Sequence, residues 1–205
     1  MSFQKNKYKI IRNVISKEFA NFVMQYALLQ RDAINFMINK NIINSANPLA
    51  AIFVDPQVPN SYAKYADHVM ETLLVMLLPT MKEKTKLDLI PTYSYYRIYK
   101  KGDILHRHTD RPSCEISTTL NLGGDPWSIF LEPSGEKGRE GVEVKLEPGD
   151  MLIYQGCVLE HWRETFNGNF CVQVFLHYNN LKGKYGKTNL FDKRPLLGIP
   201  QGKYY

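Results

Sequence analysis

The apolar pattern of this chain changes period once, near Pro91, and that change limits its folds more than any other feature. Before it, hydrophobic residues recur at steps of three and four; after it they alternate. Ser16 stands as an N-cap, and Phe19, Phe22, Val23 and Tyr26 follow the i, i+3, i+4, i+7 stripe of an amphipathic helix. A second helix is expected after Pro59-Asn60-Ser61, with Tyr65, Val69, Leu73, Met76 and Leu77 on one face. Met70, Met76 and Met81 are core filler in this reading, and Pro79 kinks or ends the run. From Thr92 onward, β-forming runs follow at Thr92–Lys100, Glu115–Leu122, Trp127–Leu131, Val142–Leu146, Asp150–Tyr154 and Asn169–Tyr178, separated by Gly and Pro turns. Helices first and strands afterwards make an α+β chain.

At 205 residues the chain is within the range of one domain, with 1–90 mainly helical, 91–180 the strand-rich core and 181–205 a basic tail. Hydrophobic content of 44% and charged content of 22% exclude general disorder. The start lacks the apolar stretch of a signal peptide and the apolar patches are too short to span a bilayer, so a soluble cytoplasmic protein is expected, with no membrane partner. Cys114, Cys157 and Cys171 show no paired spacing and leave one over, which predicts free thiols. The net charge of +6 invites a nucleic-acid reading, but residues 181–205 carry six Lys and Arg against Asp192 alone, so this tail supplies five of the six excess charges. It is expected to be a solvated, partly extended tail; the sharper reading has it clasping an acidic partner or substrate, with Leu196–Pro200 pinned to the core. Glu132–Gly141 is expected to be an exposed hairpin loop, and Asn41–Asn60 a loose connection reaching toward the site. Nothing in the sequence sets an oligomeric state.

His108-Thr109-Asp110, followed by His161, carries the chemistry. Residues at i and i+2 of a strand share a face, so His108 and Asp110 can approach one ion, and a distant His161 completes a triangle. Two imidazoles and a carboxylate form the facial triad of non-heme Fe(II) oxygenases, which leaves the opposite positions open. By chance alone about half an H-x-[DE] match is expected in this composition, so the tripeptide gains weight only from its surroundings. A strand ends at Lys101-Gly102-Asp103 just before it, and Pro148-Gly149-Asp150 is a turn entering the strand that precedes His161.

The pattern Tyr99-x-x-Gly102, His108-x-Asp110, Pro148-Gly149-Asp150 and His161 resembles the 2-oxoglutarate/Fe(II)-dependent dioxygenases, especially the prolyl-hydroxylase-like branch, over residues 90–180. The resemblance implies a double-stranded β-helix, or jelly-roll, core with the N-terminal helices packed on it. It implies Fe(II) held by His108, Asp110 and His161, with 2-oxoglutarate and O2 as co-substrates and ascorbate as an optional reductant. Hydroxylation of a C–H bond follows, with succinate and CO2 as co-products. The substrate implied is a peptide or protein residue such as proline, a small molecule being the other choice. The strand Asn169–Tyr178, where relatives place the basic anchor for 2-oxoglutarate, has no Arg or Lys, so Arg163 or Arg97 takes that part, with Tyr99 as the phenol beside it. Tyr93 and Tyr95 share the parity of Tyr99. Arg111 is expected to support Asp110 or touch substrate, or else to pair with Glu115; His68 and His177 are expected to be structural. The alternatives are a nucleic-acid demethylase of the alkylated-base repair type, which here lacks the paired arginines of the last strand; a cupin-type metal-binding module, which would use His106; and a non-catalytic module docking through its tail.

Overall fold

Asp67 begins the larger correction to the helical half, because its Oδ1 accepts the backbone N–H groups of Val69 and Met70 at 3.0 and 3.3 Å and so starts the helix there. The structure, a computed structural model, describes residues 2–47, 49–53 and 55–202. The helices are α1 (Phe3–Asn6), α2 (Lys17–Asn39) and α3 (His68–Thr85). Tyr62–Tyr65, expected to lie in the second helix, is instead strand β2, following β1 (Tyr8–Ile11). Pro79 does not end α3; it lies inside the helix on its exposed face.

Which faces are buried also differs from expectation. In α2 the buried residues are Ala20, Val23, Ala27 and Ile34, while Phe22 is 65% exposed. Small side chains let the helix approach the strand Ile116–Gly124, and the bulkier phenylalanines face out. Similarly, Met70 and Met81 are fully buried but Met76 is 61% exposed, Leu74 having taken the inward position.

The remaining strands are β3 (Leu89–Lys100), β4 (Leu105–His108), β5 (Ile116–Gly124), β6 (Ile129–Leu131), β7 (Val142–Val144), β8 (Met151–Tyr154), β9 (His161–Arg163) and β10 (Phe170–Asn180). They form two antiparallel sheets, six strands in the order β1-β8-β5-β10-β3-β2 and four in the order β4-β9-β6-β7. The chain is thus mixed helix and antiparallel sheet. Helix α3 packs on β3 and β10, and its Leu73, Leu74 and Met81 share one apolar cluster with Val23 and Ala27 of α2 and with Leu120, Val172 and Val174 of the large sheet. The opposite face of that sheet meets the small sheet, where Ile129, Leu131 and Val144 pack on Leu152 and Tyr154.

Strand alternation then decides what reaches the space between the sheets. Along β3, Tyr96 and Ile98 join the cluster under the helices, whereas Tyr93, Tyr95, Arg97 and Tyr99 line a cavity on the other face. Residues 132–141 join the paired strands β6 and β7 as the expected hairpin loop, mostly exposed apart from Glu132, which is 2% exposed and accepts from the backbone N–H groups of Ser134 and Gly135. No helix of the described residues is long and apolar enough to cross a membrane.

The C-terminal segment is not the free, solvated tail. Lys182, Lys184, Lys187 and Lys193 are exposed, but Arg194 is buried against Glu71, its Nη2 2.6 Å from Oε1 and 3.1 Å from the Thr92 carbonyl. Gly198 N–H also donates to Glu71. Lys203 lies outside the described residues.

Candidate metal centre and its cavity

His108 and His161 are direct cross-strand partners in the β4–β9 ladder, which puts their rings on one face with centroids 4.3 Å apart. Strand β4 stops at His108, and the chain turns so that Asp110 Oδ1 lies 3.7 Å from His108 Nε2 and 3.5 Å from His161 Nε2. The three ligand atoms all lie within 4.8 Å of one another. A single ion with bonds of about 2.1 Å spans the separations of 3.5 and 3.7 Å from Asp110 to the two imidazoles.

Tautomer is settled by the backbone. His108 Nδ1 is 2.7 Å from the His106 carbonyl and His161 Nδ1 is 3.0 Å from the Leu159 carbonyl. A carbonyl only accepts, so Nδ1 carries the proton of each neutral ring and Nε2 keeps the lone pair that a metal ion would take. The carboxylate is fixed as well: Ser117 Oγ donates to Asp110 Oδ2 at 2.6 Å, and the Asp110 N–H donates to the Gly156 carbonyl at 2.8 Å. Burial opposes ionisation of Asp110, but the charge and hydrogen bond of His161, aided by His177 and Ser117, outweigh it and hold the carboxyl well below its usual range. Burial also works against protonation of His161, yet the facing Asp110 carboxylate raises its pKa. In His108 burial and the neighbouring His161 lower it. His106 is exposed and outside the cluster, although it stands two residues from His108; a register shift between Leu105 and His108 breaks the alternation that a cupin-like pair needs.

The cavity around these residues has a volume of about 620 Å³. Tyr99 and Arg97 line it; Arg163, two residues after His161 on β9, sits behind its wall, with the guanidinium 5.0 Å over the Trp127 ring that packs on Tyr99. Arg163 Nη1 donates to the Trp127 carbonyl at 2.5 Å and Nη2 to Thr119 Oγ1 at 3.3 Å. Thr119 in turn donates to Gln173 Oε1 at 3.0 Å. Arg163 is 1% exposed, and no carboxylate of the described residues stands within ion-pair distance of it. Arg97, equally buried, differs: it is paired with Asp55, which also accepts from Tyr95 Oη at 2.7 Å. Arg97 Nε, Tyr99 Oη and Arg163 Nε are all buried without a hydrogen-bond partner. Burial pushes the Tyr99 phenol up despite the two guanidiniums, so it stays protonated and able to donate.

Several neighbours were not legible beforehand. His177, expected to be structural, lines the cavity with Nδ1 3.0 Å from Ser117 Oγ, and its ring packs 4.5 Å from Tyr93; with Asp110 and Cys114 it forms a second His/Asp/Cys group. Ser117 and His177 meet because they are register partners across β5 and β10, which no spacing in the sequence announces. Arg111 neither pairs with Glu115 nor bonds Asp110. Its two terminal nitrogens fork onto Asp192 at 2.9 and 2.7 Å, while Glu115 accepts from Asn179 and Asn180.

No protein-family profile matches this chain, and no curated protein sequence does. Solved structures do. The chain is similar to HygX from Streptomyces hygroscopicus, solved with nickel and 2-oxoglutarate bound, at 12% identity and a TM-score of 0.62, covering 89% of this chain and 86% of that one. A Pseudomonas putida prolyl-4-hydroxylase gives 13% identity and 0.59 over 87% and 95%. The α-ketoglutarate-dependent epimerase SnoN from nogalamycin biosynthesis gives 10% and 0.65 over 98% and 93%. At such identities the likeness is one of fold: this chain folds as the 2-oxoglutarate/Fe(II) oxygenases do.

Proposed function

We propose that this chain is a 2-oxoglutarate- and Fe(II)-dependent dioxygenase, with its two sheets forming one double-stranded β-helix domain and His108, Asp110 and His161 as the metal ligands. The observation that carries this is the convergence of two Nε2 lone pairs and one carboxylate oxygen within 4.8 Å, each held from behind by a hydrogen bond. Fe(II), 2-oxoglutarate and dioxygen together supply the oxidation of a substrate C–H to an alcohol, with succinate and CO2 as co-products. The protein binds and orients.

The donor set suits a ferrous ion, since imidazole and carboxylate on one side leave the other side open. For 2-oxoglutarate, Arg163 is the better anchor of the two arginines. A fully buried guanidinium with no carboxylate is costly, and a carboxylate arriving there relieves that cost; Arg97 already has Asp55. The distance also suits. Two residues of strand separate Arg163 from His161, about 6.6 Å, close to the span between the ends of a five-carbon diacid. Tyr99 Oη, protonated and unpartnered, is placed to donate to the same anion.

The substrate is held in the outer cavity, against Tyr93, Tyr95 and Phe175. The prolyl-4-hydroxylase neighbour supports a peptidyl residue such as proline; the neighbour solved with hygromycin B supports a small molecule. The test is succinate formation from 2-oxoglutarate after anaerobic reconstitution with Fe(II). Wild-type protein is expected to form it and His108→Ala to form none. A reconstituted wild type that forms no succinate and binds no divalent ion would leave only the non-catalytic reading.

A further inference from the structure

The C-terminal segment makes one turn that costs backbone strain. Phe191, Asp192 and Lys193 stand in succession at φ of 50°, 56° and 65°, a left-handed conformation that L-residues with a Cβ avoid. Such strain persists only where the surroundings enforce it. Here they do. Arg194, one residue beyond, is locked to Glu71, Thr92 and Ile199, and the turn places Asp192, only 5% exposed, at the cavity edge. Asp192 Oδ1 accepts from Arg111 at 2.9 Å, and Oδ2 accepts from Arg111, Tyr65 and Gln201 at 2.7 Å each. Arg111, Tyr65 and Gln201 all line the cavity.

Arg111 directly follows Asp110 in the chain. Its guanidinium is about half exposed, lies 4.5 Å over the Tyr93 ring and has Asp192 as its carboxylate. Freed from that fork, a long flexible cation at this place would find the Asp110 carboxylate next, and a guanidinium forked onto a ligand carboxylate competes with a metal ion for the same oxygens. We propose that Asp192 is a positioning residue for the metal centre: it holds Arg111 away from Asp110, so that the carboxylate stays available to the ion. This inference rests on the dioxygenase reading, and it gives the strained turn a purpose that stability alone does not.

The test uses Mn²⁺ as probe, titrated calorimetrically into the full chain. Asp192→Asn keeps the acceptors for Tyr65 and Gln201 but removes the charge, and is expected to weaken Mn²⁺ binding about tenfold. In an Arg111→Gln background the same substitution should change binding by less than about twofold, because the competitor is gone; this non-additivity is the signature of coupling through Arg111. Arg111→Gln alone should bind Mn²⁺ about as tightly as wild type. An equal loss from Asp192→Asn in both backgrounds, or no loss in either, overturns the proposal. Should Asp192→Asn unfold, as thermal melting would show, Arg111→Gln still decides: a tenfold weakening there makes Arg111 a support for the site and overturns the proposal too. A wild type that binds Mn²⁺ no better than His108→Ala would instead sink the dioxygenase reading itself.

Discussion

The two ends of the cavity treat their charges differently. At the outer end each buried or half-buried guanidinium has a carboxylate, Arg97 with Asp55 and Arg111 with Asp192. Behind the wall at the inner end, Arg163 is 1% exposed and has only a carbonyl, a hydroxyl and an aromatic ring. An ion pair inside a protein is self-contained, whereas a lone cation there is a standing demand for an anion. The contrast supports Arg163, and not Arg97, as the proposed anchor without reference to any relative.

Asp55→Asn is the strongest way to break this contrast, because it turns Arg97 into a second lone cation. Denaturant unfolding should show a loss of about 3 kcal/mol. A loss below about 1 kcal/mol would mean that water reaches Arg97 and that the two arginines are not so different. Arg163→Met follows. It should weaken 2-oxoglutarate binding about 100-fold, some 2.7 kcal/mol, while the ligand-free protein is as stable as wild type or more so. If Arg97→Met produces the larger loss of 2-oxoglutarate affinity, the anchor has been assigned to the wrong end. The third, spread over about two pH units, concerns His177 between the two ends. Burial lowers its pKa from 6.5 to about 4. Between those values the unfolded chain takes up a proton that the folded chain refuses, so stability is full above pH 6.5 and falls on acidification by at most about 1.4 kcal/mol per pH unit. His177→Gln should flatten that slope in unfolding measurements from pH 7 to pH 4.5.

What the sequence made legible was whatever depends on short spacing. Strand parity put Tyr93, Tyr95, Arg97 and Tyr99 on one face, and the Pro148-Gly149-Asp150 turn introduced the strand before His161. The convergence of His108, Asp110 and His161 goes beyond parity: β4 stops at His108, a turn brings Asp110 in, and His161 arrives by cross-strand register. Long-range partners stayed hidden. Glu71 and Arg194 are 123 positions apart and Arg111 and Asp192 are 81, and nothing local marks either pair, so the tail read as a solvated run of charge. The stripe of α2 was misread for a different reason: a large aromatic is the better guess for a core, but here alanines face the sheet at close range. His106 shows the limit of parity itself, since one irregular register step removes it from the face its spacing assigned.

The hydrogen bonds from both imidazole Nδ1 atoms to main-chain carbonyls have a further implication for how this scaffold tolerates change. Because each ring is oriented by peptide groups, a substitution among the surrounding side chains leaves both acceptors in the chain. The aromatic lining of the outer chamber is therefore free to diverge, by evolution or by design, toward new guest molecules while the two nitrogen donors keep their aim.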